Sequence, residues 1–343
     1  MDALFQNPVL STAFWAFVKI MIILNGMLGI VSYLIYAERK IAGHMQARTG
    51  PNRVGPLGLL QPIADVLKLF FKEEFIPTDA NKVIFHIAPM LAVIPALVTF
   101  VIIPFGPGDA LVGTDLNVGL LLFFAMSSLG VYAITLGGWA SNNKYALLGG
   151  LRSSAQMISY ELAMGLSTIG VLLLAGSLSL VDIVHAQARV MHLGPLAIPA
   201  WNVLFQPLAF VIFMITAFAE TNRAPFDLPE AEGELIAGFH IEYSSMKFGL
   251  FFLGEFMNVI SISCIAVTLF LGGWNGPGPQ MLGIVWFLLK LAALLFFFIW
   301  VRWTYPRLRY DQLMNLGWKV LLPLSLANIV LTALAITLTG GNA

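Results

Sequence analysis

Runs of about 20 apolar residues, nearly free of charge, recur along the sequence, and each is long enough for a helix to cross the hydrocarbon core of a bilayer. A soluble domain could not bury so many of them. The chain is therefore read as an all-α polytopic membrane protein, one transmembrane domain over residues 1–343. The apolar runs between polar breaks predict eight helices, over residues 13–36, 83–103, 118–140, 155–180, 199–219, 248–271, 281–300 and 320–338. Turn-forming stretches punctuate them, such as PFGPGD after the second and GGWNGPGP after the sixth. Charged residues make up 10% of the chain, against about a quarter in soluble domains.

With so few charges, each one constrains the topology. Every Lys and Arg except Lys19, Arg189 and Lys290 falls in one of four loops, at residues 38–82, 141–154, 220–247 and 301–319. Basic loops stay on the cytoplasmic (or matrix) side, so both termini are expected on the outer, periplasmic side of a bacterial inner membrane, or of the mitochondrial inner membrane in an organelle. The opening MDALFQNPVL lacks the basic stretch of a cleavable leader, so the first span is expected to be retained. The formal net charge is zero, which argues against a nucleic-acid partner. The lone cysteine, Cys264, lies in an apolar run and offers neither a disulfide framework nor a metal-binding pair. His44, His86, His185, His192 and His240 lack ligand spacing and are read as structural, and no metal site is expected. No nucleotide-binding or hydrolase motif occurs in a suitable context.

In the first basic loop a helix is predicted over residues 57–72. Gln61, Asp65, Lys68 and Lys72 recur at helical spacing and form one polar strip on an otherwise apolar cylinder. Such a helix lies in the membrane interface. On this pattern alone it reads first as a surface anchor, and more sharply as the wall of a portal for a molecule with a lipid tail and a polar head.

The third basic loop is where the acids gather. Glu220, Asp227, Glu230, Glu232, Glu234 and Glu242 fall within residues 220–242, in a chain with 18 acids in all. Asp227, Pro229 and Glu230 resemble a capped helix start. The segment reads as a solvated acidic loop or as functional carboxylates. Two observations favour function: large apolar residues interleave the acids, and Glu161 and Glu255 lie within spans. A charged acid at mid-span costs about 2.5–3.5 kcal/mol to insert, so such residues mark functional sites. Neighbouring carboxyls titrate as one coupled group and can hand protons along. Lys290, within the seventh span, needs a partner, and Glu161 or Glu255 are the candidates. Arg302, Arg307 and Arg309, beside Trp303, Tyr305 and Tyr310, read as an interfacial anchor or a docking surface.

Two blocks, GLLQPIADVLKLFFKE (58–73) and PFDLPEAEGEL (225–235), resemble the signatures of the H-type membrane subunit of respiratory complex I. ERKIAGHMQARTGPNRVGP, GGWASNNKYALLGGLRSSAQMISYE and RWTYPRLRYDQLM are similar as well, and the blocks run in order through all four basic loops. The resemblance implies a membrane subunit of a proton-pumping NADH–quinone oxidoreductase. Members of that family hold no redox centre of their own, since FMN and iron–sulfur clusters sit in partner subunits. It implies a quinone entry chamber shared with hydrophilic subunits, with Arg39, Arg48, Gln61, Asp65, Lys68 and Arg302 beside the passage. It also implies that Glu161, Glu220, Asp227, Glu230, Glu232, Glu234, Glu242 and Glu255 form an acidic path toward antiporter-like membrane subunits. Related subunits serve ferredoxin-fed quinone reductases and membrane-bound hydrogenases, which stand as the alternative. A stand-alone cation/proton antiporter would call for inverted repeats, and the two halves share no convincing repeat.

Overall fold

The computed structural model describes residues 8–108, 111–193, 196–227, 236 and 238–338. In chain order it places α1 (Pro8–Met45), a 3-10 turn at Pro56–Gly58, α2 (Gln61–Phe71), α3 (Lys82–Ile102), α4 (Gly119–Ala140) and α5 (Lys144–Ala175). There follow α6 (Leu180–Ala186), an antiparallel hairpin of β1 (Val190–Leu193) and β2 (Leu196–Pro199), α7 (Asn202–Phe205) and α8 (Pro207–Glu220). The last elements are α9 (Ser245–Phe270), α10 (Gly283–Thr304), α11 (Tyr310–Asn315), a π-helical segment at Leu316–Leu321 and α12 (Leu322–Leu338). Among the described residues seven helical stretches are long and apolar enough to cross a membrane, with α8 as a shorter apolar helix. The all-helical membrane architecture is as the apolar runs require, and the hairpin is the single departure among the described residues.

Local chemistry sets the ends that differ from expectation. α5 starts at Lys144 rather than near 155, because the Asn143 side chain accepts from the Tyr145 amide at 2.9 Å and caps the helix early. It stops at Gly176, whose φ of 69° closes the helix in the left-handed region, so residues 177–179 do not continue it. α2 starts at Gln61 rather than 57, since Leu57 sits at φ 54°, outside helical geometry. α1 runs on to Met45, so residues 38–45 of the first basic loop are helical.

α9 is the most deeply buried span and α1 the least. α8 runs antiparallel to α9. At the start of α7, the Asn202 amide donates to the Leu269 carbonyl at 2.7 Å, near the far end of α9. At its other end Glu220 reaches the level of Glu255, which is roughly ten residues, or about 15 Å, inside the start of α9. The fifth span is therefore short for a physical reason. The helix ends inside the protein, at the depth of Glu255 on α9. Non-helical backbone at such a depth is tolerated only where protein or a cavity surrounds it.

The structure corrects the partner expected for Lys290. Its ammonium donates to the carbonyls of Leu271 (2.7 Å), Gly273 (3.0 Å) and Asn275 (2.6 Å) and lies over the Trp201 ring. It closes the C-terminal end of α9, where exposed carbonyls and the helix dipole both favour a cation, and neither Glu161 nor Glu255 is its partner.

Candidate functional site: a buried ion network between two cavities

Four elements bring their charges together. Glu38 projects from α1, Arg223 from the turn after α8, Glu255 from α9 and Arg302 from the last turn of α10. Arg223 Nη1 donates to Glu38 Oε2 at 2.8 Å, and its Nε lies 3.1 Å from Glu255 Oε1, within ion-pair reach although poorly aligned for a hydrogen bond. Arg302 Nη1 pairs with the other oxygen of Glu38. The Arg223 guanidinium rests over the Phe256 ring, 4.2 Å from its centroid. Glu38 and Arg223 are 5% and 2% exposed. Two cations and two carboxylates thus balance in a place where an unbalanced charge would be costly. Nothing in the sequence singles out Glu38, which reads as the polar end of the first apolar run, or Arg223, which reads as a lone basic residue among acids.

On one side of this network lies a cavity of about 420 Å³. Arg39, Arg48 and Arg302 line it together with Glu38, Phe252 and Phe256. Three of the predicted passage residues therefore share one space. Gln61 and Asp65 join them indirectly, since Arg39 Nη1 donates to Asp65 Oδ2 at 2.5 Å and Gln61 Nε2 to Asp65 Oδ1 at 2.9 Å. The polar strip of α2 thus docks on α1, and Tyr36 and Ser245 add hydrogen bonds to the Leu57 and Leu69 carbonyls at 2.7 and 3.0 Å. Ile63, Val66, Leu67, Phe70 and Phe71 stay exposed on the other face. Lys68 is exposed and lines neither cavity.

On the other side lies a smaller cavity of about 90 Å³, where Glu220 and Glu255 meet Asn222, His240 and Asn258 against a wall of Phe239, Phe248, Phe251 and Phe252. That volume would accommodate about three waters, and the polar groups suffice to hold them. Glu220 Oε1 accepts from Ser127 Oγ at 2.7 Å, while its buried Oε2 has no protein partner. Glu161, on α5, pairs with Ser128, the next residue of α4. Two adjacent serines therefore hold two acids from different helices side by side. Burial among phenyl rings drives the His240 imidazole down to about 4. His240 is neutral at pH 7, with one donor and one acceptor for the cavity.

The remaining predicted acids divide. Asp227 is held by Arg307, Nη2 to Oδ2 at 2.8 Å, and Leu308 N donates to the Pro225 carbonyl at 3.1 Å, so the segment after α10 braces the acidic turn. Arg302 and Arg307 are thus ion-pair partners of the site. Glu242 stands apart, accepting from Asn143 at 2.7 Å in a separate hollow with Asp79 and Lys144. Glu230, Glu232 and Glu234 lie outside the described residues. Among the described residues no three His, Cys, Asp or Glu converge as metal ligands.

Residues 18–333 match the family described as NADH dehydrogenase. The chain is 56% identical to an H-type subunit of NADH-quinone oxidoreductase from Geobacter metallireducens over 321 residues, covering 92% of this chain and 94% of that one. It is 53% identical over 320 residues to the H-type subunit of Thermomicrobium roseum (91% and 93% covered), and 56% identical over 312 residues to that of Rhodospirillum rubrum (90% and 89%). With a match that runs through every span and loop, the chain belongs to the family of H-type subunits of NADH-quinone oxidoreductase.

Proposed function

We propose that this chain forms, with hydrophilic partner subunits, the chamber that quinone enters from the membrane, and that it couples quinone reduction there to proton translocation through its buried carboxylates. The electron donor chemistry belongs to the partners: a lone buried cysteine offers no cluster ligand set. The large cavity, with Arg39, Arg48 and Arg302 at its wall, suits a polar head group, and the exposed apolar face of α2 suits an isoprenoid tail. The basic loops face the cytoplasm, which puts the acidic turn beneath the cytoplasmic surface.

One observation carries the reading. Arg223 bridges Glu38, which lines the large cavity, to Glu255, which lines the small one. Quinone takes up two electrons and two protons to give quinol, and while electrons run ahead of protons, negative charge builds beside Arg302 and Arg39. An arginine drawn toward that charge loosens its hold on Glu38. Arg223 then shifts its weight toward Glu38 and away from Glu255, so the proton affinity of Glu255 changes and with it that of Glu220. Protons leave by the Ser127–Ser128 pair and Glu161 toward neighbouring membrane subunits. The two-state element this requires is the described part of the loop after α8, residues 221–227 and 238–245.

The test is Glu220→Gln in the assembled complex. The variant is expected to assemble and to lose pumping or quinone turnover by about tenfold or more, as for removal of an essential proton carrier. Normal pumping at full quinone turnover would sink the proton-path reading for this residue. Copurification of flavin and iron–sulfur subunits tests the NADH input, and a nickel-binding subunit in their place would point to a hydrogenase.

A further inference from the structure

One face of α5 carries Ser153, Gln156, Met157 and Tyr160, three or four residues apart, and all four meet the turn that follows α8. Ser153 Oγ donates to Asn222 Oδ1 at 3.3 Å, Met157 Sδ accepts from Asn222 Nδ2 at 3.5 Å, and the Tyr160 ring packs on Phe226. Gln156 does most. It is wholly buried, and its one amide nitrogen donates to the carbonyls of Ala219 and Phe226, both at 2.8 Å. Those carbonyls bracket the stretch that holds Glu220 and Arg223, with Asp227 following at once. The amide cannot be reversed, because its oxygen would then face two carbonyl oxygens. Its Oε1 has no partner, so the position accepts an unsatisfied oxygen to place two N–H groups on one atom. Among uncharged side chains only a primary amide offers that pair of donors, and glutamine has more reach than asparagine. Asn222, inside the bracket, sits at φ 52°, a conformation that the surrounding contacts must hold.

We propose that Gln156 is the positioning residue of the acid path: by clamping Ala219 to Phe226 it fixes the spacing between Glu220 in the small cavity and Arg223 in the ion network, so that charge displaced at one is felt at the other. This rests on the coupling role proposed above. Without the clamp the turn keeps its residues and charges, but Arg223 and Glu220 no longer move as one body.

The test uses the assembled, membrane-embedded complex with two variants. Gln156→Met keeps length and apolar volume and removes both donors. It is expected to lower quinone turnover by about tenfold, in line with the cost of small misplacements, with KM for quinone unchanged and fewer protons moved per electron. Gln156→Glu can donate to one carbonyl when protonated and to neither when ionised. Its turnover relative to the parent is expected to fall as pH rises from about 7 to about 9.5, the range in which a carboxyl buried among apolar groups ionises, a dependence that a filler of the same volume would not give. Parental turnover and proton ratio in assembled Gln156→Met overturns the clamp. So does a Gln156→Glu defect equal at both pH values, which also decides the matter if the Met variant does not assemble. Glu220→Gln is run alongside. If it is impaired while both Gln156 variants are silent, the clamp alone fails; if it too is silent, the acid path fails and the clamp has nothing to position.

Discussion

Arg223 is the residue on which the site turns, because it is buried and shared by two carboxylates. Removing one member of a buried charged set leaves its partners uncompensated, which costs about 3–5 kcal/mol, whereas removing the whole set is often nearly neutral. Arg223→Met is therefore expected to deplete assembled complex, and adding Glu38→Gln, Glu255→Gln and Arg302→Met, which removes the whole balanced set, to restore much of it without restoring quinone turnover. Yields and turnover of the single and quadruple variants check this, and a quadruple variant no more stable than the single one would refute the balanced-charge account. His240 gives a pH-dependent expectation of the opposite sign to a salt-bridged histidine. Its folded value of about 4 lies below the ordinary value of about 6.5, so an opened state binds more protons between those limits. Local stability of the Gly238–His240 turn is thus full above about pH 6.5 and declines as pH falls toward 4. The protection factors of the Phe239 and Tyr243 amides, which divide out the intrinsic pH dependence of exchange, should fall on acidification from about pH 7 to 5, and His240→Gln should remove the trend. Protection that stays constant across that range in the parent would show that His240 is not held neutral by its surroundings.

Among elements, α8 and α9 differ most in what their sequences disclose. The apolar run ending at Ala219 reads as one more span, and its composition is right. That the helix stops inside the protein is not legible, because termination at Glu220 depends on what receives the turn: Gln156, Ser153 and Tyr160, which lie about 60 residues or more earlier in the chain. The same limit hides the ion network. Glu38, Arg223, Glu255 and Arg302 sit in different parts of the chain, and periodicity reports neighbours along a helix rather than across a bundle. The amphipathic α2 is legible because its signal is local, although its pairing with Arg39 is not. At the other end of α9, charge alone would match Lys290 to the buried acids, but the turn that leaves the helix, with three carbonyls converging on one point, satisfies an ammonium as well. Lys290→Met is accordingly expected to lower the melting temperature of the complex while turnover per assembled complex stays within about twofold, since the change removes helix capping and not a proton carrier. Loss of pumping at normal stability would put Lys290 back on the proton path.

At the scale of the molecule, the coupling role depends on which face is which. The ends of α1, α8 and α10 and the start of α9 converge on Glu38, Arg223, Arg302 and Glu255, so the loops that carry most of the basic residues share one face. The positive-inside bias assigns that face to the cytoplasm. Whether the assignment is self-consistent depends on α8, the one span too short to cross unaided. Five helical passes, α3, α4, α5, α8 and α9, separate Asn52 from Met281, both exposed. If α8 and its turn complete a crossing, the two residues lie on opposite sides; if they do not, the two lie on the same side. Single cysteines at Asn52→Cys and Met281→Cys can be read without replacing Cys264, which is fully buried in α9 and should stay unreactive until the chain unfolds. In intact cells a membrane-impermeant maleimide is expected to label Met281→Cys, and to label Asn52→Cys only after the membrane is opened. Labelling of both from outside would mean that α8 does not cross, and the reverse pattern would invert the molecule. In either case the acidic turn would no longer lie between a cytoplasmic chamber and the membrane interior, and the coupling role would lose its geometry even with every ion pair in place.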